Sequence, residues 1–161
     1  MINRAKKLIK ELNLKPHTEG GYFSEIYRSQ NFVKPLDSRS NRSALTTIYF
    51  LLLKGQKSRL HKVLSDEVWH FYEGAPLELF TIDKKLQKSD KILLGPVRKK
   101  TTQVFVVPAG FWQAAQTTGE YTLVGCTVAP GFEFADFSMV NKNSKEEKYI
   151  VSRFPKLAKF L

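Results

Sequence analysis

Gly55-Gln56-Lys57-Ser58-Arg59-Leu60-His61-Lys62-Val63-Leu64-Ser65-Asp66-Glu67, closing at Gly74, is the stretch on which the fold turns. It holds a His and a Glu between two glycines, at spacings that set the two side chains beside each other on neighbouring strands. Before it runs Thr46-Thr47-Ile48-Tyr49-Phe50-Leu51-Leu52-Leu53 and after it Val68-Trp69-His70-Phe71-Tyr72. These β-branched and aromatic runs read as strands lining a closed interior. A polar pair aimed into an apolar barrel marks a place for a ligand, a metal or a proton transfer.

Upstream, Glu19-Gly20-Gly21 makes a turn into a strand over Tyr22–Arg28. Tyr22, Ser24, Ile26 and Arg28 share one face of it, and Phe23, Glu25 and Tyr27 the other. Both faces are mixed, so both are expected to meet something other than bulk water. Ser38-Arg39-Ser40-Asn41-Arg42-Ser43 is polar and reads as a mobile loop. Downstream, short strands are expected over Leu77–Asp83, Lys91–Leu94, Gln103–Val107 and Tyr121–Val128, punctuated by turn residues such as Gly95-Pro96 and Pro108-Ala109-Gly110. Many short strands with no helix between them predict an all-β sandwich or barrel.

The ends differ from the middle. Ile2, Ala5, Leu8, Ile9 and Leu12 recur at helical spacing, which predicts a short N-terminal helix over 2–12 packed against the domain. The stretch 141–161 is rich in Lys, Glu and Asn and is expected as a short helix or a loosely attached tail. No internal repeat or linker divides the 161 residues, so a single domain 1–161 with its core over about 14–140 is expected.

One cysteine, Cys126, rules out an internal disulfide and fits a reducing compartment, so the expected location is cytoplasmic. In its apolar run Cys126 reads as a small buried hydrophobe. The opening Met1–Lys10 is too charged for a secretory signal, and no run reaches the ~18 apolar residues of a spanning helix, so no membrane partner is expected. The net charge is +11. Lysines outnumber arginines and scatter along the chain, whereas nucleic-acid readers show arginine forks and clustered stripes. The charge therefore reads as a solvated surface, with a phosphate-bearing small ligand as its functional option.

The central stretch resembles the first cupin motif in its Gly55, His61, Val63, Glu67 and Gly74, and Pro108-Ala109-Gly110-Phe111-Trp112-Gln113 resembles the second. The chain is still more similar to a branch of small cupin-fold proteins long treated as a domain of unknown function. The blocks that carry this are Glu19-Gly20-Gly21-Tyr22-Phe23 with Glu25 and Tyr27-Arg28-Ser29, Ser65–Gly74, Val107–Ala115, and Val128-Ala129-Pro130-Gly131-Phe132 with Phe134. They span about 14–138. The resemblance implies a cupin double-stranded β-helix (jelly-roll β-barrel) and a homodimer. It supplies no activity, because cupins include oxygenases, isomerases, epimerases and plain binders.

Metal-binding cupins coordinate through three His and one Glu, and the resemblance puts those positions at His61, Val63, Glu67 and Gln113. Valine cannot ligate, and a neutral amide oxygen is a poor donor for a transition metal. No cofactor is expected. A divalent metal, were one bound, would have only His61, Glu67 and Gln113. In a regular strand His70 points away from Glu67. His17 reaches the pocket only if its loop folds over the mouth.

Without metal, His61 and Glu67 read as an acid–base pair, or as the hydrogen-bonding floor of a pocket. Trp69 shares the face of Glu67 and offers a flat ring to a planar ligand. Gln113, with Gln103 on the strand leading to it, would orient the ligand's polar edge. Arg59, with Lys57, flanks His61 and would receive a phosphate or carboxylate. Tyr22, with Glu25 and Arg28, closes the pocket or forms a dimer seam, and Phe132 adds a further ring. Three functions follow. The first is binding of a small polar or planar metabolite in the barrel. The second is an isomerase or epimerase acting on a carbonyl-bearing, sugar-nucleotide-like substrate with His61 as base. The third is an interaction protein that uses its basic surface.

Overall fold

Strand alternation decides which residues reach the interior. Along Thr46–Leu53, Phe50 and Leu52 are buried in the main core and Thr46 and Ile48 line its open end, while Thr47 and Tyr49 turn outward. The computed structural model describes residues 2–161, with side chains from residue 4 onward. Helix α1 (Ile2–Glu11) is followed by strands β1 (Lys15–Pro16), β2 (Tyr22–Arg28), β3 (Phe32–Val33), β4 (Arg42–Ser43), β5 (Thr46–Leu53) and β6 (Lys57–Val63). Next come β7 (Asp66–Gly74), β8 (Leu77–Ile82), β9 (Ser89–Leu94), β10 (Val104–Val107), β11 (Trp112–Thr117), β12 (Tyr121–Ala129) and β13 (Phe137–Met139). Helix α2 (Lys145–Arg153) and a 3-10 turn over Pro155–Phe160 end the chain.

A six-stranded sheet in the order β1-β2-β5-β12-β7-β10 faces a five-stranded sheet in the order β13-β6-β11-β8-β9, with β3-β4 as a small separate ribbon. This is the expected jelly roll of two packed antiparallel sheets. Phe50, Leu52, Trp69, Leu77, Leu79, Leu94, Val124 and Cys126 fill one end of the space between them. The chain crosses from one sheet to the other at Leu64-Ser65. His61 and Glu67 therefore face each other across the interior from opposite sheets, and do not sit side by side on paired strands as the spacing suggested.

Both ends of the chain cover outer faces. Leu8 of α1 packs with Leu14, Leu51 and Leu123 on the six-stranded sheet. Ile150 of α2, with Leu157 and Phe160 beyond it, packs on Leu60, Ile82, Trp112 and Ala114 behind the five-stranded sheet. The C-terminal stretch is thus docked helix rather than a loose tail. The polar stretch around Arg39 and Arg42 is held as well, against the expectation of mobility. Arg42 meets Asp136 with two 2.8 Å hydrogen bonds, and Arg39 Nη1 reaches the same carboxylate at 3.1 Å.

Candidate functional site

The open end of the interior is built by a turn that the central motif does not contain. His17–Gly21 folds over the barrel: the His17 amide donates to Gly21 O, and the Gly20 amide donates to His17 O. Arg59 N then donates to Glu19 O at 2.8 Å, which fastens the turn to β6. Gly20, at φ +112°, lies so close to the Lys57 carbonyl that any Cβ would overlap it. Only glycine lets the turn pack this tightly.

The turn delivers two titratable groups beside His61. Glu19 Oε2 lies 3.3 Å from His61 Nε2 and 3.4 Å from His17 Nδ1, and Glu19 Oε1 accepts from Ser58 Oγ at 2.7 Å. His61 Nδ1 donates to Arg59 O at 2.7 Å, which fixes the tautomer and leaves Nε2 free to exchange a proton. Burial lifts the Glu19 carboxyl to about 6, against the pull of His17 and the Ser58 hydrogen bond. Burial likewise depresses His61, with Glu67 opposing, and depresses His17, with Glu19 opposing. Low dielectric thus favours the neutral forms of acid and base together.

Glu67 stands on the facing wall. Trp69 Nε1, a donor only, donates to Gln113 Oε1 at 2.9 Å, so the Gln113 amide turns its NH2 to Glu67 Oε2 at 2.5 Å. Burial raises Glu67, with His61 opposing and Glu19 adding to the rise. Cys126 adjoins it, its thiol pushed well above the ordinary range mainly by burial.

Between these groups lies a cavity of about 100 Å³. Its walls are the rings of Phe23, Phe50, Phe132, Phe134 and Phe137. Phe137 stacks on His61 at 5.3 Å, and Phe23 meets His17 edge-on at 4.6 Å. At the rim Arg28 is held by both oxygens of Glu25, at 2.9 and 2.8 Å, and by Glu133 at 2.9 Å. The three rings 132, 134 and 137 belong to the segment after β12, which Asp136 ties to Arg42 and Arg39.

The two facing antiparallel sheets agree with the fold of similar proteins. Residues 6–140 match the family described as Cupin superfamily (DUF985). The chain belongs to the cupin superfamily. Among solved structures it is similar to a hypothetical protein from Leishmania major, with 32% identity, TM-score 0.84 and coverage of 96% of this chain and 94% of that one. It is also similar to protein SO0799 from Shewanella oneidensis, with 30% identity, TM-score 0.79 and coverage of 96% and 92%. The uncharacterized protein YML079W of Saccharomyces cerevisiae is 27% identical over 91% of this chain and 79% of its own length.

Two of the positions that the resemblance assigns to a cupin metal carry no strong donor. Val63 lines the cavity with an apolar side chain, and the Gln113 oxygen is engaged by Trp69. Among the described residues no group of three or more His, Cys, Asp or Glu is disposed to hold a metal ion. The donor set does not fit a cupin metal centre.

Of the residues singled out from sequence, His61, Glu67 and Phe132 line the cavity, together with Glu25 and Arg28. Trp69 and Gln113 lie behind Glu67 and hold it, without lining the cavity themselves. The other assignments move. Gln103 is exposed and meets the barrel only through its backbone, where its carbonyl accepts from Phe71 N. Tyr22 packs on the outer face of the six-stranded sheet with the α1 cluster. Arg59 is exposed and donates to Thr18 O, because a bulge in β6 opposite Ala114 turns it to the rim. Lys57 reaches Lys159 O behind the five-stranded sheet. His17 enters the lining because its loop does fold over the mouth, and Glu19 is the addition. The His-x-Glu-Gly-Gly run at residues 17–21 carried the signal, since paired glycines mark a close backbone approach.

Proposed function

We propose that this cupin binds a small metabolite in the open end of its barrel, with His61, Glu19 and Glu67 meeting its polar edge and the five phenylalanines its body. One observation carries the reading: a cavity of about 100 Å³ in which buried acids and imidazoles face a wall of aromatic rings. Such concave, mostly apolar sites with a few convergent polar groups are where ligands bind. The test is a metabolite-library screen by native mass spectrometry on the wild type and on His61→Ala. Hits lost in His61→Ala support the reading, and a library that leaves the wild type bare overturns it.

A second reading rests on the fixed tautomer of His61. With Nδ1 tied to Arg59 O, Nε2 is the base, and Glu19 is the group that receives or returns its proton. That arrangement suits abstraction of a proton next to a carbonyl, as in an isomerase or epimerase. Solvent deuterium would enter the substrate, and His61→Ala would abolish the exchange.

The assembly in this reading is a homodimer. The outward positions of the central strands carry Thr47, Tyr49, Tyr72, Thr127, Val104 and Val106, with His70 among them and Glu73 at one end, where Arg4 holds it at 2.7 Å. In a chain of net charge +11, a sheet face whose middle carries no lysine or arginine supports pairing with a second copy. The lone buried Cys126 fits a cytoplasmic location. Among the described residues no helix is long and apolar enough to cross a membrane.

A further inference from the structure

The cavity is lined by acidic side chains where the rest of the protein is basic. Of 26 lysines and arginines only Arg28 lines it, against four carboxylates, Glu19, Glu25, Glu67 and Glu133. Arg28 is not available to an anion. Its Nε and Nη2 are on Glu25, its Nη1 is on Glu133, and Nη2 also donates to Phe132 O at 3.2 Å. An incoming phosphate or carboxylate would have to displace two carboxylates already in bidentate and single contact, and would then face Glu67 and Glu19. The rings point to the opposite charge. Phe132, Phe134 and Phe137 stand at mutual centroid distances of 5.2, 6.0 and 6.3 Å, with Phe23 and Phe50 closing the other side. Ring faces carry negative potential, and several around one space attract a cation and replace part of its hydration.

Resting on the binding-site reading above, we infer that the ligand is a small organic cation, an amine or quaternary ammonium, seated among the five phenylalanines with its charge towards Glu67. Size sets the upper limit. An apolar cavity of about 150 Å³ accommodates benzene, so one of about 100 Å³ takes a compact head such as a methylated ammonium rather than a nucleotide. The +11 surface lies outside this site and does not attract its ligand. The phosphate-bearing ligand considered from net charge alone is therefore replaced by its electrostatic opposite.

The test uses two probes of one shape and different charge, choline and its uncharged isostere 3,3-dimethylbutan-1-ol, with inorganic phosphate as the anion. Binding is followed by calorimetry and by the NMR signals of His61 and Phe137 in the full chain. Choline is expected to bind at least about ten-fold more tightly than the alcohol and to shift both residues. Glu67→Gln should remove about ten-fold from choline and leave the alcohol unchanged. Phe137→Leu, which keeps apolar bulk but loses the ring, should weaken choline selectively and guards against misfolding of the first variant. If the alcohol binds as well as choline, the cation preference is overturned while the binding site stands. Tighter binding of phosphate also overturns it. Should no probe disturb His61 or Phe137, both the inference and the binding-site reading fall.

Discussion

Glu19 Oε2 and His61 Nε2 lie 3.3 Å apart, each side chain buried, although one comes from a turn before β2 and the other from β6. With His61 Nδ1 donating to Arg59 O, one proton serves both partners: the acid gives it to the ring, or the ring gives it to the carboxylate. Burial favours the neutral pair, lifting Glu19 to about 6 and depressing His61.

The burial of Glu19 makes stability depend on pH with a definite sign. Glu19 holds its proton more tightly folded, at about 6, than at its ordinary 4.5. Its contribution is fully present below 4.5 and is lost as pH rises through about 6, which amounts to about 2 kcal/mol. His17 and His61, both depressed, act oppositely: their contribution is present above their ordinary 6.5 and is lost as pH falls through their folded values. Glu19→Gln imitates the protonated acid and is free of its titration. Between pH 4.5 and 7 the melting temperature of the wild type should fall relative to Glu19→Gln by about 4–8 °C. A difference that stays flat with pH would refute the burial of the Glu19 carboxyl.

Gly20→Ala tests how the turn is held. At φ +112° the new Cβ meets the Lys57 carbonyl, so the turn must lift from β6 and take Glu19 with it. The variant should lose roughly 2–4 kcal/mol of stability. It should also lose the pH-dependent gap just described, which denaturant titration at two pH values would detect.

Gln113 is judged by what it leaves behind. Its amide satisfies the Trp69 indole on one side and Glu67 on the other, deep in the barrel. Gln113→Leu orphans both and should cost about 3 kcal/mol, with a further rise in the Glu67 pKa. Gln113→Glu keeps an acceptor for Trp69 but sets a second acid against Glu67, so its loss should shrink at low pH. A leucine variant as stable as the wild type would show that the chain from Trp69 to Glu67 does not matter.

How much of this was legible in the sequence depended on range. β5 and β12 are β-branched and aromatic runs, and periodicity placed them within a residue or so. β11 escaped as a strand because Gln113-Ala114-Ala115-Gln116 has little strand propensity. It is a strand because β6 and β8 pair it on both sides and its alanines fit under cover. His61 and Glu67 were visible because one motif carries them. Glu19 was not, because its position depends on a turn docking onto a distant strand. Arg59 and Lys57 were misplaced by one bulge, which local alternation does not register. The order of the loop around Arg42 likewise rests on Asp136, a residue far along the chain.

Val106 is 48% exposed and Tyr72 47% exposed, on a face where Thr47 and Thr127 share a 2.9 Å hydroxyl contact and Tyr49 meets Tyr72 edge-on. None of these side chains reaches the cavity, so a change there leaves the site alone. In a monomer Val106→Lys would be close to neutral, since exposed substitutions usually change stability by less than about 0.5 kcal/mol. In a dimer built on this face the same lysine is buried at the seam without a partner, which weakens association by at least about ten-fold. Sedimentation of the wild type should give a dimer, and Val106→Lys should shift it to monomer with an unchanged circular dichroism spectrum. A monomeric wild type would refute the dimer, and a variant that stays dimeric would move the interface elsewhere.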